Sequence, residues 1–162
     1  MCSDTSAASY RDVLPQDVKP SNYDISLYDI EYSGKSFGYS GTVVISADIV
    51  KSTKTIVLNS HQLDVKSAIV KAGNAEYKST DISYDAPKQR VSLAFAEELP
   101  ASKSTSITIE FTGTINNDMA GFYRSKYKPT VPAAASVPRD DVFHYMYSTQ
   151  VEANQPLVAF SS

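Results

Sequence analysis

The feature that most constrains this chain is a period of two. In Tyr23-Asp24-Ile25-Ser26-Leu27 the odd positions are apolar and the even ones polar. Val43, Ile45, Ala47 and Ile49 repeat the pattern within residues 41–50. Val91, Leu93 and Phe95 alternate with Ser92 and Ala94, and Ile107, Ile109, Phe111 and Ile115 alternate with Thr108, Glu110, Thr112 and Thr114. Successive side chains of a strand point to opposite faces, so this pattern buries one face and wets the other. Thr55-Ile56-Val57-Leu58 is a further apolar run, and Leu63 and Val65 lead into Ala68-Ile69-Val70. These stretches are rich in β-branched and aromatic residues, which suit a pleated, half-buried surface. Turn signals separate them: Ser33-Gly34-Lys35, Ala72-Gly73-Asn74, Asp85-Ala86-Pro87 and Leu99-Pro100-Ala101-Ser102. No amphipathic helix of three turns is found. The pattern predicts an all-β fold of antiparallel hairpins, packed as a sandwich or a curved sheet. Gly41 and Gly113 lie inside strand-like runs, where a bulge or bend is expected.

Two segments break this order. Residues 1–13 are polar and small, and read as a loose tail. Residues 126–141 hold three prolines and an alanine run, which predicts a surface loop between two strands. The 162 residues suffice for one domain with a hydrophobic core, and 42% apolar with 20% charged residues is a globular composition. The net charge is −3, and no Lys/Arg cluster exceeds a dipeptide, which argues against nucleic acid as a partner. No stretch approaches the roughly 20 apolar residues of a membrane helix. Cys2 is the single cysteine, no Asn-x-Ser/Thr sequon occurs, and residues 1–12 lack the apolar centre of a signal peptide. Together these absences lead us to expect a reducing, cytoplasmic setting.

No catalytic set is found. The two histidines, His61 and His144, are followed four residues on by Val65 and Ser148, so neither starts a His-x-x-x-His zinc pair. Each reads as a polar strand residue. Cys2 sits in the tail, where no base can be positioned against it. No Gly-x-Ser-x-Gly elbow is present, and the six glycines are scattered rather than clustered around a phosphate. Glu97-Glu98 and Asp140-Asp141 are adjacent pairs in turn or loop context and read as solvated charge.

Several ordered blocks carry a resemblance. Leu14-Pro15, Pro20 and Tyr23 open the match, which continues through Phe37 to Val50 and Ile56-Val57-Leu58-Asn59-Ser60. It is most specific from Gly113 to Ser125, including Gly121-Phe122-Tyr123-Arg124, and in Tyr145-Met146-Tyr147-Ser148-Thr149-Gln150-Val151-Glu152-Ala153. In these blocks the chain resembles the N-terminal domain of the aminopeptidase N family of zinc metallopeptidases, over residues 14–153. The resemblance implies a saddle-shaped, antiparallel β-sandwich-like domain that packs on a thermolysin-like catalytic domain. That second domain carries Gly-x-Met-Glu-Asn and His-Glu-x-x-His in the family, and neither motif occurs here. The family's zinc, general base and transition-state tyrosine therefore have no counterparts in this chain, which implies no metal or other cofactor of its own and no catalysis by the chain alone.

One functional element is implied to remain. The family's Thr-Gln-x-Glu block lines the pocket for the substrate's first residue, and it corresponds to Gln150 and Glu152. The chemistry is coherent. A carboxylate offers a free α-ammonium a charge-assisted hydrogen bond, and a Gln carbonyl accepts another of its three protons. Residues two apart on a strand face the same side. The Gly121-Phe122-Tyr123-Arg124 stretch is expected to pack the domain through Phe122 and Tyr123, and the 11 tyrosines to serve core and interface. The match then breaks off. Val151 stands where the family has Phe, and Asn154 to Ser162 lack the family's Asp-Ala-Arg stretch, so residues 154–162 are expected to form a divergent stub on a truncated domain. The expected ligand is a peptide N-terminus, and the expected partner is the missing catalytic domain or a full-length aminopeptidase. A stand-alone module binding protein or sugar, or a regulator of a full-length aminopeptidase, are the alternatives.

Overall fold

The computed structural model describes residues 14–32, 37–117, 121–127, 144–150 and 158–159. These residues form ten strands: β1 (Val18–Tyr28), β2 (Gly38–Ile49), β3 (Thr53–Ser60), β4 (Leu63–Ala72), β5 (Ala75–Asp85), β6 (Arg90–Leu99), β7 (Ser102–Thr114), β8 (Gly121–Tyr127), β9 (His144–Gln150) and β10 (Val158–Ala159). The described residues contain no helix, so the expected all-β class holds.

Eight strands make one antiparallel sheet in the order β1-β2-β7-β4-β5-β6-β3-β10. Its curl arises between β4 and β5. Strand β4 pairs with β7 from Leu63 to Lys71, but with β5 only from Ile69 to Ala72. From Ser79 onward β5 pairs with β6 instead. The β1-β2-β7-β4 half thereby folds over the β5-β6-β3 half. Val43, Ile45, Ile107, Ile109, Ala68 and Val70 from one half join Ile56, Leu58, Val91, Leu93 and Leu99 from the other in a single buried cluster. Burying such side chains stabilises by about 1.5–3 kcal/mol each, which is why the period-two residues dictate the curl.

Five register shifts punctuate the ladder, between Pro20/Asn22, Ala47/Ile49, Thr53/Thr55, Val65/Ser67 and Ser79/Asp81. The shift in β4 explains its sequence. Leu63 and Val65 are buried at odd positions, Ala68, Val70 and Ala72 at even ones, and the extra residue between the two sets switches the phase.

Neither Gly41 nor Gly113 sits at a register shift, contrary to the expected bulge or bend. Gly41 pairs directly with Phe111, and Gly113 with Tyr39. A Cβ at Gly41 would stand 2.6 Å from the Phe111 ring, and one at Gly113 would stand 2.5 Å from the Tyr39 ring. The glycines leave room for cross-strand aromatic rings to lie over the backbone. Strand β5 was not among the expected strands. Its apolar residues Tyr77, Ile82 and Tyr84 are out of phase because of the shift at Ser79/Asp81, and its burial is slight.

Of the expected loop at 126–141, Lys126 and Tyr127 belong to β8, and the remainder lies outside the described residues. The expected tail, residues 1–13, lies outside them too. Val158–Ala159, within the segment set apart as a stub, pairs with Ser60 and Asn59, so two of its residues extend the sheet edge.

Candidate functional site

Strands β8 and β9 form a separate two-stranded ribbon, with Gly121 opposite Gln150 at one end and Tyr127 opposite His144 at the other. Pairing sets Phe122 opposite Thr149, Arg124 opposite Tyr147 and Lys126 opposite Tyr145. Side chains of paired residues share a face. Phe122 and Tyr147 pack against the core cluster, so this face is turned to the sheet.

Ring contacts and hydrogen bonds hold the ribbon there. The Phe122 ring meets Tyr39 edge-on at 5.3 Å between centroids. The Tyr147 hydroxyl donates to the Tyr32 carbonyl at 2.7 Å, and their rings meet edge-on at 6.0 Å. The Arg124 amide donates to the Asn116 carbonyl at 2.9 Å. The Arg124 guanidinium lies over Phe37 at 3.4 Å from the ring centroid, while Tyr145 meets the same ring edge-on at 5.5 Å. Phe37 itself adopts a φ of 47°, a conformation that costs a non-glycine residue about 1–3 kcal/mol. It is fixed by its carbonyl, which accepts from the Ile115 amide at 2.8 Å. Tyr39, 5% exposed, has its phenol pushed up to about 12 by burial, so it is a neutral packing group at any physiological pH.

Arg124 Nε donates to Asn117 Oδ1 at 2.8 Å, and its Nη1 is buried with no hydrogen-bond acceptor. Asn117, Arg124, Ser125, Lys126 and Tyr145 line a polar cleft of about 480 Å³. No catalytic or metal-binding motif marks this cleft. Its residues are far apart in the chain, although Phe37, Asn117, Arg124 and Tyr145 all fall inside the blocks that carry the family resemblance.

Gln150 closes β9 at the end of the ribbon. Glu152 lies outside the described residues. The expected packing role of Phe122 is seen, whereas Tyr123 is half-buried and its backbone bridges to Asn116. His61 occupies the turn between β3 and β4 rather than a strand, and His144 opens β9. Among the described residues no three His, Cys, Asp or Glu side chains come together to hold a metal, so they do not fit a zinc site. No helix among them is long and apolar enough to cross a membrane.

Residues 19–158 match the family model of the Peptidase M1 N-terminal domain. Aminopeptidase 2 of Candida albicans is 34% identical to the chain over its full length. Aminopeptidase 2, mitochondrial, of Saccharomyces cerevisiae is 30% identical over 93% of the chain, and the puromycin-sensitive aminopeptidase of Caenorhabditis elegans 26% over 98%. The chain spans 16%, 14% and 16% of the lengths of these relatives. The match is to the N-terminal domain and not to a catalytic one, so these residues make up a non-catalytic N-terminal region. The chain belongs to the M1 peptidase family through this N-terminal domain.

Proposed function

We propose that this chain is the substrate-end-recognising β domain of a zinc aminopeptidase that removes single amino acids from peptide N-termini. The observation that carries the reading is the domain match over residues 19–158, which spans the Thr149-Gln150-Val151-Glu152 block. In this reading the Glu152 carboxylate takes the peptide's α-ammonium in a charge-assisted hydrogen bond, and the Gln150 carbonyl accepts a second proton. Zinc and the hydrolytic step belong to a catalytic domain that works beside this one, and the β domain supplies only the grip on the free amine. The working compartment is the cytoplasm, in keeping with a single cysteine and no glycosylation sequon.

The test uses residues 1–162 and two tripeptides that differ only in N-terminal acetylation. Nuclear magnetic resonance titration should show weak, saturable binding of the free-amine peptide, lost on acetylation and in Glu152→Gln. Equal binding of the acetylated peptide overturns the recognition role. Cleavage of an amino-acid anilide by the purified chain with zinc overturns the assignment of catalysis to a separate domain.

A further inference from the structure

We propose that the cleft lined by Asn117, Arg124, Ser125, Lys126 and Tyr145 binds a carboxylate, from a small acid or from an acidic peptide side chain. The site is distinct from the segment proposed to hold a peptide N-terminus. Arg124 pairs with Tyr147, three residues before Gln150, which is roughly 10 Å along the strand.

Arg124 is a cation without a carboxylate partner among the described residues. It is not a member of the ion pairs Lys66–Asp64 and Lys71–Glu76. The hydrogen bond its guanidinium makes is to a neutral amide, at Nε. Its Nη1 is withdrawn from water without an acceptor. Among the described residues this guanidinium meets no countercharge, which half-buried arginines ordinarily have. It is also held in place. The Phe37 ring lies flat beneath it at 3.4 Å, Asn117 fixes one edge, and Phe37 keeps its left-handed backbone in doing so. An immobilised guanidinium loses little further entropy when an anion docks.

The surrounding groups favour an oxyanion. Tyr145 brings a phenol and Asn117 an amide to the same cleft, which Ser125 and Lys126 also line. About 480 Å³ is ample for a carboxylate and the chain that carries it. A phosphate would need more donors, typically a cluster of backbone amides. Here the Arg124 amide is already spent on the Asn116 carbonyl. The two-oxygen carboxylate is the better match to one guanidinium with a neighbouring phenol and amide.

The experiment follows the Arg124 Nε–Hε and Asn117 side-chain amide resonances of the wild-type chain during titration. The probes are acetate, an acetylated and amidated Gly-Asp-Gly peptide, its Gly-Asn-Gly counterpart, and inorganic phosphate. The expected result is a saturable shift of both resonances with Gly-Asp-Gly, at a Kd near or below about 1 mM, and none with Gly-Asn-Gly. Acetate binding as tightly as the Asp peptide identifies a small acid as the ligand, and acetate binding at least tenfold more weakly identifies the peptide side chain. Arg124→Gln should weaken the Asp peptide by about tenfold or more. Should that variant fail to fold, the wild-type titration decides alone. Absence of a saturable shift, equal shifts with the Asn peptide, or tighter binding of phosphate overturns the proposal.

Discussion

Gly41 and Gly113 face Phe111 and Tyr39 across the β2–β7 ladder, and each lets an aromatic ring cover the backbone. The Tyr39 ring is shared. It meets Phe111 edge-on at 6.5 Å within the sheet and Phe122 at 5.3 Å on the ribbon. A methyl group at position 113 would occupy the place of the ring, because the atoms 2.5 Å away are the buried ring carbon and hydroxyl. Gly113→Ala should therefore destabilise by about 1–3 kcal/mol in urea unfolding, the range for overpacked cores. The loss should shrink when Tyr39→Ala is combined with it, since the two positions share one clash. Tyr39 also predicts a pH effect. Burial raises its phenol from 10.0 to about 12, so between those values an unfolded chain has lost a proton that the folded chain still holds. Fewer protons on the unfolded state means that stability falls as pH rises through this window. The stability of Tyr39→Phe should fall less steeply than wild type between pH 10 and 12, and parallel curves would remove Tyr39 from the account.

At the scale of elements, the β8–β9 ribbon is joined to the main sheet by rings and a few hydrogen bonds rather than by a ladder. Phe122→Ala removes a half-buried ring and its edge-on partner, worth roughly 1–3 kcal/mol. Amide exchange should then accelerate in Gly121–Tyr127 and His144–Gln150, while β2, β4 and β7 keep their protection. Uniform acceleration would mean that the ribbon and sheet unfold as one unit. Strands β2, β6 and β7 were legible in the sequence because their alternation is unbroken over the buried residues. Strand β4 was legible only as two pieces, and β5 not at all, because a register shift turns a period of two into its mirror phase and no residue type announces the shift. The ribbon was legible through resemblance alone. Its stability rests on pairings such as Phe37 with Arg124 and Tyr32 with Tyr147, which join distant parts of the chain. Phe37 could not have been read as strained, since nothing about a phenylalanine signals a φ of 47°.

At the scale of the whole molecule, the margin of the curled sheet at β1 leaves an apolar side chain in water. Strand β1 is the outer edge of the sheet, and Tyr23, Ile25 and Leu27 pair with Ile45, Val43 and Gly41, whose own side of the sheet is buried. Tyr23 and Leu27 pack on the core cluster, but Ile25 between them is 45% exposed. Pro20 and the register shift beside it interrupt one end of this edge. An apolar margin of this kind drives association in a domain that lacks a covering partner. The chain should accordingly show concentration-dependent association by sedimentation velocity, with a melting temperature below about 65 °C. Ile25→Thr keeps a β-branched residue on the strand while removing apolar surface. It should shift the distribution toward monomer and leave the melting temperature within a few degrees of wild type, because a half-exposed side chain contributes little to the fold itself. Association that survives Ile25→Thr would move the sticky surface elsewhere, and the ribbon's outward Tyr127 and Met146, 50% and 57% exposed, would be the next residues to change.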